Sequence, residues 1–396
     1  MTDVHERLRD LREAPAPDLW PGIERRGPRP TSEGIPWGRL GVAALALIIA
    51  AMGVGVALRS FFAGDPMRRP ASGAPQVLQS LNVTASVDVE GHARDVAAGE
   101  GSVWTLVDPI GGGPAVLRID PTTGRITGSV RVPPRAYRLV VGGGLVWVIH
   151  WLPEEPDRVT RIDSGSLEVF ADVPLAAYVG AAVATEDALW TAASVGEAES
   201  QTLLRVDSAT NEIERSVSLE GTIEFVDDMA YAGDSLWLLD YRGLAKGPTP
   251  AQVVRVDAVA GEILAEIPVE GSCHGPGGLR IAADPGGAWI NCRTGPESFV
   301  ARRIESATNS VSAPVDLPAG YSAPFAVASY GVWFVGYDTS DRGRVFLVDP
   351  AEPTVVGEVT LEGLNGEDAA FDLVSGSVWV ARAPDQVVRL EIGSPD

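Results

Sequence analysis

The sequence predicts an all-β chain closed into a seven-bladed β-propeller with four-stranded blades, preceded by one transmembrane helix. Three observations carry this expectation. Seven tryptophans sit in matching contexts, one alternating strand stands outside the repeats, and one apolar run carries no charge.

The tryptophan contexts are SVWTL at Trp104, LVWVI at Trp147, ALWTA at Trp190, SLWLL at Trp237, GAWIN at Trp289, GVWFV at Trp333 and SVWVA at Trp379. They lie 43 to 52 residues apart, the length of one propeller blade. A Gly, Asp or Ser turn precedes each, and a short apolar strand such as DVAA or RLVV precedes that turn. After each tryptophan comes a second fixed element, LRID, TRID, LRVD, VRVD, RRIE, FLVD or VRLE. In the first six repeats a turn such as PTTGR or SATNE follows, and then an alternating strand such as ITGSVRV. Inner strands face neighbouring blades on both sides and so read as apolar; the outer strand alternates because one side meets water. The tryptophans are expected to pack between blades.

The seventh repeat ends at EIGSPD without an outer strand, whereas LNVTASVDV at Leu81–Val89 is an alternating strand without a repeat. Pairing the two closes the ring and removes a sheet edge that would otherwise invite association.

The repeated G-x-x-[VLA]-W and R-[IV]-D-[PS]-x-[TS]-G pattern resembles the YVTN-type propeller repeats and the related streptogramin lyase family, over residues 81–396. The resemblance implies the propeller fold. In the lyases it further implies elimination chemistry by His and Glu with a bound Mg ion, the glutamates lying on a W-F-T-E strand. Here the third position after each tryptophan is Val107, His150, Ala193, Asp240, Cys292, Gly336 or Arg382, and none is glutamate. A lyase-like metal-dependent enzyme is therefore the alternative to a binding module, and no cofactor is expected.

Leu40–Leu58 contains no charged residue. At about 1.5 Å per residue it spans roughly 28 Å as a helix, close to the thickness of a bilayer's hydrocarbon core. Trp37, Arg39 and Arg59 flank it as interface anchors. A cleaved signal peptide is the rival reading, but a 39-residue leader is long for one, and SFFAGDP offers a poor cleavage site. The expected organisation is a largely disordered cytoplasmic leader over 1–36, a transmembrane helix over 37–59, a Gly/Pro/Ala-rich linker over 60–80 and the propeller over 81–396. That makes a single-pass protein of the cell membrane, with its N-terminus cytoplasmic and its propeller extracytoplasmic. The Pro-rich leader also holds the apolar Trp20 and Ile23, and its functional reading is a docking peptide for a cytoplasmic partner, which would make the chain a sensor.

Residues 71–396 carry 21 Arg and Lys against 45 Asp and Glu. Such a surface repels phosphate backbones, so nucleic acid is not expected as a partner. In a propeller the inner strands start, and the tryptophan strands end, at one rim. Counting back from the tryptophans places His92, Arg135, Tyr178, Phe225, Tyr321 and Glu367 at that rim, with Arg94, Asp227 and His274 nearby. The ends of tryptophan strands add His150, Asp240 and Arg382. This set predicts a mixed polar and aromatic surface for a small molecule, peptide or protein. The histidines show no metal-ligand spacing, and no nucleophile motif occurs, so neither a metal site nor a catalytic residue is assigned. Cys273 and Cys292 bracket the inner strand of blade 5, and a disulfide between them is expected in an oxidising compartment.

Overall fold

The computed structural model describes residues 79–396, apart from 109–110, 153–155, 176–177, 196–199, 241–250, 270–279, 296–297, 319, 321, 329–330, 339, 341, 350–353, 373–375, 383–384 and 393–396. The leader, the apolar run and most of the linker thus lie outside the described residues. No helix among the described residues is long and apolar enough to cross a membrane. By its contacts the chain divides into two units, Met1–Ala74 and Pro75–Asp396.

The second unit is a seven-bladed propeller. Blade 1 consists of His92–Gly99, Ser102–Asp108, Ala115–Ile119 and Ile126–Arg131, each strand antiparallel to the next. The inner and tryptophan strands that follow are Ala136–Gly142 with Leu145–His150 (blade 2), Tyr178–Ala184 with Ala188–Val195 (blade 3), and Val226–Ala232 with Ser235–Asp240 (blade 4). They continue as Ile281–Asp284 with Gly287–Arg293 (blade 5), Ser322–Ala328 with Gly331–Tyr337 (blade 6), and Leu364–Asp372 with Ser377–Arg382 (blade 7). The outer strand of blade 5 shrinks to Val315–Asp316, because Pro314 and Pro318 on either side cannot donate to a ladder.

Ring closure follows the expected pairing. The N-terminal strand runs antiparallel to Gln386–Ile392 from Leu81↔Ile392 to Asp88↔Gln386, completing blade 7. It begins at Gln79, two residues before the expected start, because Gln79 and Ser80 pair in parallel with Gly357 and Glu358 of blade 6. Blades 6 and 7 thereby share one eight-stranded sheet.

Each blade's tryptophan sits in the apolar layer against the next blade, and all seven are at most 2% exposed. Trp104 packs with Leu139 and Val148 of blade 2, Trp147 with Ala182 and Leu189 of blade 3, and so on round the ring. The last layer joins Trp379 to Val103 and Ile119 of blade 1, with Val87 and Val89 of the closing strand between them.

The Arg-x-Asp element has two structural duties. Its aspartate caps the following turn: Asp120 accepts the N–H groups of Thr122 and Thr123 at 2.8 and 2.9 Å, and Asp163, Asp207 and Asp257 cap their own turns in the same way. These bonds hold the carboxyls of Asp120, Asp163 and Asp207 below the ordinary value. Its arginine lies opposite the tryptophan, as in Trp104↔Arg118, and reaches to the next blade. Arg118 donates to the carbonyls of Ser164 and Gly165 at 2.9 Å each, Arg161 to Ser208, Arg255 to Ser306, and Arg389 of blade 7 to Thr122 of blade 1 at 3.1 Å. In blade 3 Arg205 pairs instead with Asp187 and Glu214, and Arg215 on the outer strand makes the bridge to Ala260.

Candidate functional site

The strand registers place several of the expected residues at one rim. His92 faces Asp108 across its strand pair, Ala136 faces His150, Val226 faces Asp240, and Leu364 faces Arg382. Arg135, Tyr178 and Phe225 lie at the starts of inner strands 2, 3 and 4. Glu367 falls in the irregular stretch of the blade 7 inner strand between Leu364 and Ala369. Tyr321, His274 and Cys273 lie outside the described residues.

Not every rim residue is open to ligand. His150 is buried, with Nε2 2.9 Å from the Thr160 hydroxyl and Nδ1 3.2 Å from the Pro134 carbonyl. Burial lowers its pKa and so favours the neutral ring. Asp240 is fully buried and accepts the N–H groups of Glu224 and Phe225 at 3.2 and 3.1 Å. Both hold loops at the rim. Arg94 is exposed and bound to Asp108, while Arg382 donates to the Glu362 carbonyl at 2.8 Å. Cys292 is buried, and no described cysteine is a free thiol.

Behind the rim, carboxylates on two inner strands and on the segment before Arg158–Asp163 staple one blade to another. Asp95 of blade 1 accepts the N–H of Leu139 in blade 2, and Asp228 of blade 4 accepts that of Ile281 in blade 5 at 3.1 Å. Asp157 of blade 2 accepts the N–H of Leu152 at 3.1 Å with one oxygen and that of Val179 in blade 3 at 2.8 Å with the other. Tyr137 of blade 2 donates to the Val179 carbonyl at 3.1 Å, and burial pushes its hydroxyl up to about 12, reinforced by Asp157. Arg138 of blade 2 reaches Asp228 of blade 4 at 3.2 Å, a pair that skips a blade and so bridges the central channel. None of Asp95, Asp157 and Asp228 was singled out from sequence. An isolated Asp carries no periodic signal, and its role depends on which backbone the next blade presents.

Asp227 differs from these. One of its carboxylate oxygens is buried without a hydrogen bond. Burial, together with the charges of Asp240 and Asp228, raises its pKa from 3.8 to about 7, against the pull of Arg280. Burial likewise raises Asp95 to about 6, opposed by the Leu139 N–H and Arg138. A carboxyl whose folded value lies above its unfolded one favours folding below the unfolded value, and that contribution is lost as pH rises through the folded value. Asp227→Asn is therefore expected to raise the melting temperature at about pH 8 and to change it little at about pH 4. Equal shifts at both pH values, measured by calorimetry, would refute the assignment.

Among the described residues no three His, Cys, Asp or Glu side chains converge to hold a metal. The donors at the lyase positions do not fit one either, since His150 and Asp240 are committed to the loops they hold. A cleft of about 560 Å³ lies between blades 4 and 5 against Glu266, Ile267, Arg302 and Val311. Glu266 and Arg302 there are bonded to Gln252 and to the Ser312 carbonyl, so the rim is the stronger candidate.

Three exposed aromatics stand on the rim of consecutive blades: Trp151 at 53%, Tyr178 at 49% and Phe225 at 46% exposure. Asp157 draws the first two together, because it binds the N–H groups of Leu152 and Val179, the residues next to them. Gly180 seats the third: a side chain there would meet the Val226 carbonyl at 3.2 Å and the Phe225 ring at 3.7 Å. Trp151 was not among the expected rim residues. It follows the last residue of a tryptophan strand, outside the positions the repeat count marks.

Fold and rim together define the class: a seven-bladed propeller closed by its N-terminal strand, with an aromatic and ionisable surface at one end of its channel. Among solved structures the chain is similar to hydrazine synthase of Kuenenia stuttgartiensis, with a TM-score of 0.60 and 13% identity, over 82% of this chain and 100% of that one. At that identity the likeness shows the fold alone. No known protein family matches the sequence, and no curated protein matches it.

Proposed function

We propose that the chain is a membrane-anchored binding module that displays its propeller outside the cytoplasm and captures a partner at the channel rim. One observation carries the reading: three aromatic side chains about half exposed gather at one rim beside ionisable groups. The uncharged run Leu40–Leu58 supports the anchor, and the leader before it supports a sensing role. The repeat motif supports kinship with YVTN-type propellers. An oxidising compartment fits a Cys273–Cys292 crosslink, which would leave the denatured, unreduced protein without a reactive thiol.

The test is affinity capture from native membranes with the full chain. Capture should fall about tenfold or more when His92, Tyr178 and Phe225 are replaced together by Ala, and should survive deletion of residues 1–36. Capture that follows the leader and ignores the rim would sink the reading, as would a chain released from membranes by alkaline washing. Turnover that requires Mg and disappears with His92→Ala would favour the lyase-like alternative.

A further inference from the structure

We propose that Trp151, Tyr178 and Phe225 form a docking surface for a basic, arginine-bearing segment of a partner protein. The inference rests on the rim being the binding surface and narrows it to blades 2–4. Continuity is the first support. Asp157 joins the backbone beside Trp151 to the backbone beside Tyr178, and the Phe225 ring lies against Gly180, two residues from Tyr178. The three rings thus line one arc across three blades instead of standing singly, as scattered surface aromatics do.

Charge selects the occupant. Residues 132–269, which make up these three blades, carry 9 Arg and Lys against 22 Asp and Glu. That is more than half of the net negative charge of residues 71–396. Glu220 and Glu224, both exposed, lie on the segment that leads to Phe225. A guanidinium laid on an aromatic face is attracted by the ring quadrupole and pairs with a carboxylate through its edge. The molecule already uses this contact internally, with Arg255 5.1 Å from the Trp237 ring centroid and Arg161 5.1 Å from that of Phe170. An acidic partner, or a second copy of this acidic propeller, would be repelled from the same arc. Arg135, whose carbonyl accepts the Trp151 N–H at 3.1 Å, is an exposed cation at the edge of the arc. It limits the surface on the blade 1 side.

The probe is a labelled peptide of alternating Arg and Gly, titrated against the full chain in detergent micelles, with a Glu–Gly peptide as control. The Arg peptide should bind, should weaken with added salt, and should lose about tenfold or more in affinity when Trp151, Tyr178 and Phe225 are replaced together by Ala. The triple variant should melt like the parent, because these side chains are about half exposed. Unchanged binding by the triple variant would mean that a polyanion had adsorbed a polycation, and would overturn the proposal. So would equal binding of the Glu peptide, or no binding of the Arg peptide at low salt. If those results came with rim-dependent capture from native membranes, the proposed function would stand and only the basic occupant would fall.

Discussion

Removal of Gln79–Asp88 is expected to abolish the cooperative fold of the propeller and to produce an aggregating species. The strand covers the outer edge of blade 7, which no other described strand covers. Its antiparallel pairing with Gln386–Ile392 joins the last repeat to the first strand, and its own Leu81 and Val87 are buried. Without it the backbone groups of Gln386–Ile392 face water as an open template for another chain. The layer between blades 7 and 1 also loses Val87 from beside Trp379. A milder form of the test keeps the strand and buries a charge: Val87→Asp should cost about 4 kcal/mol or more. The same substitution at Val83, which is exposed on the same strand, should cost little. Equal melting temperatures for the two variants would show that the ring does not depend on this closure.

Replacement of Trp147 by Ala is expected to cost about 3–5 kcal/mol, since it opens a large cavity between blades 2 and 3. The ring fills a layer with Leu189, Val159 and Val206, and it is fully buried. Trp147→Phe should cost much less, because the buried indole N–H makes no hydrogen bond that the phenyl ring would forfeit. Trp151→Ala provides the contrast: four residues away and half exposed, it should change stability by no more than about 0.5 kcal/mol. Chemical denaturation of the three variants checks the order. A Trp147→Ala protein as stable as Trp151→Ala would disprove the packing role.

The candidate site was legible in part. Counting from the tryptophans located the inner-strand starts, because a fixed blade length converts sequence position into a place on the rim. The same count could not distinguish His150 and Asp240, which are buried and hold loops, from Tyr178 and Phe225, which face water. Burial at a strand end depends on what the adjoining loop lays over it, and loops are where the repeats differ. Nor did the motif disclose why Arg follows Trp in most blades. Arg118 reaches residues 46 and 47 positions away, so its purpose appears only when the next blade is in place.

The sequence by itself determined the number of blades, the order of strands within them and the closing strand. Those follow from local hydrophobic period and from a motif that no single copy can bury alone. Only the tertiary structure decided which polar groups are free to bind. Asp157 and Asp228 are satisfied by backbone from other blades, and Asp227 is not, a distinction set by contacts between segments far apart in the chain. A carboxylate has the same formula in each place; its partner and its exposure to water are properties of the assembled ring.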